Sequence, residues 1–219
     1  MWYTAPMRAR RIALGAVPLL VLLAGCGPIR FADVIKAPVD VSGGRALQVL
    51  TSRLSPALLD QLGGSVPDTW PPGAPRVTED LPFEASLAIH RADLGAVGQD
   101  LAAVSSGQAV LRIRGGDVTY DAGDLTQTIT AATLWVAPAG VTTTTGDGAK
   151  EVGYLTGLSS GSGSLVFQPG GRYALGQGIT AADATLIVRF VMSFDSAQNG
   201  ARPGGNGKLE LDLNVDVLK

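Results

Sequence analysis

The sequence predicts a mainly β protein: an antiparallel β-sandwich, with a barrel as the alternative, carrying one or two short helices. Three observations lead there. Apolar and polar residues alternate with period two in run after run, most strictly where Leu209, Leu211, Leu213, Val215 and Val217 interleave with Glu210, Asp212, Asn214 and Asp216; such alternation sets one strand face on a core and the other in water. Turn residues, chiefly the 29 glycines, separate these runs at short intervals, which gives about eight to ten strands and suits a sandwich or barrel. No internal repeat of fixed period appears, and the single cysteine excludes the Cys, Trp, Cys signature of disulfide-bonded immunoglobulin domains.

The chain opens on a different kind of segment. Arg8, Arg10 and Arg11 precede a mostly apolar run over residues 12–23, with Met7 as a second candidate start just before the arginines. Charge, then apolar residues, then small ones is the order of an export signal. Those 12 residues are too few to span about 30 Å of hydrocarbon, which takes about 20, and Pro18 weakens a permanent helix further. The run closes on Leu23-Ala24-Gly25-Cys26, which holds the only cysteine.

That closing run resembles the lipobox of bacterial lipoprotein precursors. The resemblance implies that the sulfur of Cys26 receives a diacylglycerol, that residues 1–25 are cut away as a signal peptide, and that the new amino terminus is acylated. A membrane of the cell envelope is then the first expected partner. Gly27 rather than aspartate follows Cys26, and by the same resemblance an outer-membrane destination is expected where the organism has two membranes. The resemblance covers 26 of 219 residues and implies nothing about activity.

Removal of residues 1–25 leaves 194 residues, enough for one domain with a sizeable core. The expected division is a signal peptide (1–25), a lipidated tether (26–37) and a single β-rich domain (38–219). Three of the 17 basic residues leave with the signal, so the mature balance is 14 against 19 acidic residues, or −5. Scattered Lys and Arg on an acidic chain argue against a nucleic-acid partner. With Cys26 acylated, no thiol remains for a disulfide or a thiolate metal site, and no cofactor is predicted.

Within the domain, Val39 and Val41 alternate with Asp40 and Ser42, and residues 55–63 carry helix punctuation: Ser55 as cap, Pro56 in the first turn, Gly63 after the last. Pro67, Pro71, Pro72 and Pro75 around Trp70 mark a surface loop, since proline density excludes helix interiors and central strands. Phe83, Ala85, Leu87 and Ile89 predict a strand, and Leu94, Val97, Leu101 and Val104 have the spacing of a short helix over residues 93–104. Gly115-Gly116 predicts a tight hairpin between residues 108–114 and 117–120. Residues 125–136 read as a long strand whose apolar phase changes, which a bulge near residues 131–133 reconciles. Residues 141–145, 151–155, 165–167 and 172–175 are shorter strand candidates. Residues 184–194 read as a central strand, with the alternating run after Lys208 as its half-exposed neighbour across a long flexible tip.

Few residues suggest chemistry. Gly157-Leu158-Ser159-Ser160-Gly161 matches G-x-S-x-G, but that elbow needs a strand before it, a helix after it and a later histidine, and the only histidine, His90, lies upstream. His90 alone is too few nitrogen ligands for zinc or copper, and at a strand end it reads as a rim residue. Glu210, Asp212 and Asp216 share one face, with Asp195 as a neighbour across the expected hairpin. At about 7 Å spacing they read as a solvated acidic row, and a glycosidase would need two carboxylates in a cleft. Trp70 is the one candidate ligand-binding residue: it either stands out as a stacking platform for a sugar or folds back over a core edge. Trp135 reads as packed in its strand.

The expectation is therefore a lipid-anchored envelope lipoprotein that works without catalysis as a structural, accessory or binding module, with an envelope protein complex as the expected setting. Alternatives are a carbohydrate- or peptidoglycan-binding module using Trp70, and a carboxylate-dependent hydrolase. No catalytic and no metal-binding residue is assigned.

Overall fold

Alternating and β-branched residues build eight strands among the described residues: β1 (Arg30–Ser42), β2 (Thr78–Ile89), β3 (Val110–Asp121), β4 (Ile129–Pro138), β5 (Lys150–Leu155), β6 (Ser162–Phe167), β7 (Ala184–Asp195) and β8 (Asn206–Leu218). Among the described residues three α-helices accompany them, α1 (Gly43–Arg53), α2 (Pro56–Gln61) and α3 (Gly171–Ala181), with a 3-10 turn at Arg91–Leu94. The computed structural model describes residues 30–94, 110–181, 183–198 and 200–218. The strands form one antiparallel sheet, in the order β1-β8-β3-β6-β5-β4-β7-β2, that curls into a half-barrel. The mainly antiparallel β class is the one the sequence predicts; of its two architectures, the curled sheet answers to the barrel alternative.

The concave side is packed rather than hollow. Phe83 stacks on Phe190 with centroids 5.4 Å apart, and Leu81, Leu134, Met192 and the inward residues of β8 join them in one continuous cluster. Each fully buried side chain of this size contributes about 1.5–3 kcal/mol of transfer free energy. Leu209, Leu211, Leu213, Val215 and Val217 all lie on this side, in the register read from the sequence.

The two ends of the sheet approach each other without strand pairing, and α1 lies along the β2 end. Arg45 donates to the Glu84 carbonyl, and Arg53 donates to the Asp80 carbonyl at 2.7 Å and to the Glu79 carboxylate at 2.8 Å. Between those carbonyls sits Pro82, which has no N–H. The exposed edge of β2 is thereby blunted by arginines and a proline, and an open strand edge otherwise invites pairing with another chain.

Several sequence expectations give way to packing. Gly115-Gly116 does not turn: β3 runs straight through, with an irregularity against β8 between Ile113 and Gly115. Gly116 faces the core, where a Cβ would lie 3.1 Å from Leu165 Cβ and 3.3 Å from Leu213 Cδ2. Residues 172–175 belong to α3, not to a strand. β6 pairs with β3 only at Asp117–Thr119, and α3 occupies the space this leaves between the first half of β3 and the end of β4. It comes so near that a Cβ at Gly176 would lie 2.6 Å from the Leu111 carbonyl oxygen and one at Gly178 2.7 Å from Val136 Cγ2. Residues 141–145 form turns rather than a strand. The long strand begins at Ile129 and is irregular against β7 between Ile129 and Ala131, just before the region expected to bulge.

The largest correction concerns the last two strands. β7 pairs with β2 and β4, while β8 pairs with β1 and β3, so they are not hairpin neighbours. Their connection is tied to the proline-rich loop: Arg202 N donates to Asp68 O at 3.1 Å, Trp70 N to Gly200 O at 2.5 Å, and Thr69 bridges Ala201. β1 starts at Arg30, so residues 30–37, read as part of a tether, are strand. The capping signals of α2 hold: Ser55 Oγ accepts from Leu58 N at 3.2 Å and Gly63 has φ 86°. Most of the helix read over residues 93–104 lies outside the described residues.

Candidate functional site

Cys26 lies outside the described residues. Trp70 is 9% exposed, its ring packs edge-on against Phe194 at 5.8 Å, and its Nε1 donates to Pro75 O at 3.1 Å. This corrects the stacking-platform alternative: the ring has no free face, because covering the end of β7 takes up its apolar surface. Trp135 is half-buried on the convex face and donates to Thr133 Oγ1 at 3.1 Å.

The carboxylates separate into pairs with cations. Lys36 on β1 bridges Glu210 at 2.9 Å and Asp212 at 3.2 Å, and these bonds, Glu210 first, hold its ammonium above the ordinary lysine value. Asp216 meets Arg114 at 3.2 Å. Asp195 sits far from this row, bound by Arg76 through Nε at 3.0 Å and Nη2 at 2.5 Å. Arg76, then the N–H of Ala197, holds the Asp195 carboxyl below its ordinary value. The row lies on the convex face with its charges matched across strands, and Glu210 and Asp212 share a lysine rather than facing each other over a cleft.

Ser159 and Ser160 sit in the turn joining β5 to β6; Ser160 Oγ donates to Gly157 O and Ser162 O at 3.1 and 3.0 Å. That is strand, turn, strand, not the strand-to-helix elbow a nucleophile needs. His90 Nδ1 lies 3.1 Å from Asp183 Oδ2 at the rim where β2 ends and β7 begins. Among the described residues no group of three or more His, Cys, Asp or Glu is placed to hold a metal ion, and no helix is long and apolar enough to cross a membrane.

Among the concave sites of the described residues, two stand out, and neither was visible in the sequence. One is a mostly apolar groove of about 750 Å³ between α3 and the end of β4, lined by Val136, Pro138, Ala174 and Gly178, with Tyr173, Lys150 and Asp183 at its margin. Tyr173 is 72% exposed. The other is a cleft of about 640 Å³ of mixed polar and apolar lining on the convex face of β2 and β7. One wall is a single side of α1, where Arg45, Gln48, Val49 and Ser52 recur at helical spacing. The opposite wall is the 139–149 loop, which carries Thr144 and Thr145 across β7; Thr144 donates through N at 3.2 Å and through Oγ1 to the Glu84 carboxylate. Arg189 of β7, directly opposite Glu84 in register, lines the floor. Nothing in the local sequence of any one element signals this cleft, because its groups come from four segments.

No protein-family model, no curated protein and no solved structure matches this chain.

Proposed function

We infer that this chain is a lipid-anchored protein of the bacterial cell envelope whose β domain works without catalysis, as a binding or accessory module. One observation carries the reading: the arginine cluster and apolar run that end in Leu23-Ala24-Gly25-Cys26. The fold is compatible with it. β1 begins at Arg30, and four residues span at most about 14 Å, so an anchored domain would sit directly on its membrane. The end lowered onto the lipid would be the one where Arg30, Leu218 and Val110 stand in one register row. Pro138, Ala184 and Ile89 form the row at the same end of the far wall, because α3, which ends just before β7, meets the start of β3 through Thr180 and Leu111. Each acyl methylene buried in the bilayer contributes about 0.8 kcal/mol, and two or more chains make release slow.

Growth with a labelled fatty acid tests the reading. The unaltered chain should take up label and migrate as a processed form, whereas Cys26→Ser should remain uncleaved and unlabelled. Equal labelling of both would overturn it. An outer-membrane destination is part of the proposal for a two-membrane host, and membrane fractionation reads it directly.

A further inference from the structure

We propose that the cleft between α1 and the 139–149 loop binds an oxyanion, a phosphate or carboxylate group carried on a small hydroxylated molecule. The argument begins with Glu84 and Arg189, which face each other across β2 and β7 on the convex side. Opposite charges in that relation normally pair. Here both carboxylate oxygens of Glu84 instead accept hydrogen bonds from Thr144, one from its N–H and one from its hydroxyl. Among the described residues Arg189 makes no ion pair, although its cross-strand neighbour is a carboxylate. Arg45, the second guanidinium of the cleft, is fixed by its bond to the Glu84 carbonyl, also without a carboxylate partner.

Lys36, Arg53, Arg76, Arg114 and Arg202 each pair with a carboxylate, as expected on a chain with more acidic than basic residues. Among the described residues Arg112, Lys150, Arg172 and Lys208 make no ion pair either, but the cleft brings two such guanidinium groups, Arg45 and Arg189, to the lining of one concavity. A guanidinium presents a planar fork of donors that fits a carboxylate or phosphate through two parallel bonds. Ser52, Thr145 and Gln48 line the same space and supply neutral donors and acceptors for hydroxyl groups beside the anion. A volume of about 640 Å³ is that of a small-molecule site. The proposal does not depend on lipidation of Cys26 and can fail while the anchoring reading stands.

Titration calorimetry on the full chain in detergent, with glycerol 3-phosphate, glucuronate and glucose as probes, tests it. At least one of the two anions should bind at least tenfold tighter than glucose, and the tighter one assigns the head group. Arg189→Gln should weaken that binding about 10- to 100-fold, the loss expected when a hydrogen-bonded charge is removed, and Arg189→Lys should recover only part of it. Thr144→Val leaves both guanidinium groups in place but removes the hydroxyl bond that holds one Glu84 oxygen, which loosens the carboxylate toward Arg189, so it too should weaken the anion. Because Arg189 is exposed, its variants should melt at the temperature of the unaltered chain. Failure of both anions to bind in the millimolar range, glucose binding as tightly as either, or a change of less than twofold in Arg189→Gln would overturn the proposal.

Discussion

β8 and β7 are close in length and differ in surroundings. Inward residues of both are buried, but β8 turns most of its other side to water, where Lys36, Glu210 and Asp212 form a charge bridge, and only Asp216 near its end is buried there, beside Arg114. β7 turns the first part of its other side to a covered surface: Ile187 is fully buried and Thr185 is 3% exposed although both point away from the main core, whereas Arg189 farther along that side is exposed. The 139–149 loop crosses that face to reach Glu84, and Trp135 stands beside Ile187 in register. Apolar alternation thus records what lies outside a strand rather than whether a strand exists. A strand covered on both faces reads as a continuous apolar run even in an antiparallel sheet, although such runs are usually associated with parallel ones.

The contrast can be broken at its strongest point, the end of β7. Trp70→Ala removes the ring that covers Phe194 and should cost about 3–5 kcal/mol in urea unfolding of the full chain; a cost below about 0.5 kcal/mol would return Trp70 to the solvent. Next, Ile187→Ala on the outer face of β7 should cost about 2–5 kcal/mol, comparable to Leu213→Ala on the inner face of β8. If only the β8 change were severe, the outer face of β7 would be as open as that of its counterpart.

A third comparison uses pH. The Asp195 carboxyl is held below its ordinary value of 3.8, chiefly by Arg76. A depressed folded value means the carboxylate stabilises the fold above its ordinary pKa, and that stabilisation is lost as pH falls through the lower, folded one. Arg76→Ala should therefore lower the melting temperature near neutrality, with the gap from the unaltered chain narrowing in strong acid. A gap independent of pH would show that Arg76 acts by packing alone. The smallest effect belongs to the outer face of β8, where Asp212→Ala should change stability by under about 0.5 kcal/mol, because its partner Lys36 is exposed and already shared with Glu210. A change approaching that of Leu213→Ala would mean that β8, too, is covered outside.

The cleft was illegible in the sequence for a definable reason. Glu84 and Arg189 lie 105 positions apart and meet only because β2 pairs with β7, while Arg45 and Thr144 arrive from segments with no motif of their own. α1 was missed because Gly43 and Gly44 open it with no cap from Ser42. Its packing signal, Ala46 and Leu50 one turn apart, lies within a mixed stretch whose helix punctuation points to α2. Trp70 left two readings open in the sequence, since a proline-rich loop can present a ring or fold it inward. Phe194 and Pro75 decided it.

By itself the sequence determined the β class, the inward register of β8 and the caps of α2, because each depends on residues adjacent in the chain or a few apart. Tertiary structure alone decided the strand order, the helix of residues 171–181 and the cleft. Glycine is a poor helix former, so Gly171, Gly176 and Gly178 make no helix signal of their own. They belong to one because only a residue without a side chain allows α3 to lie against the carbonyls of Val152 and Leu111 in the space that β5 and β6 are too short to fill.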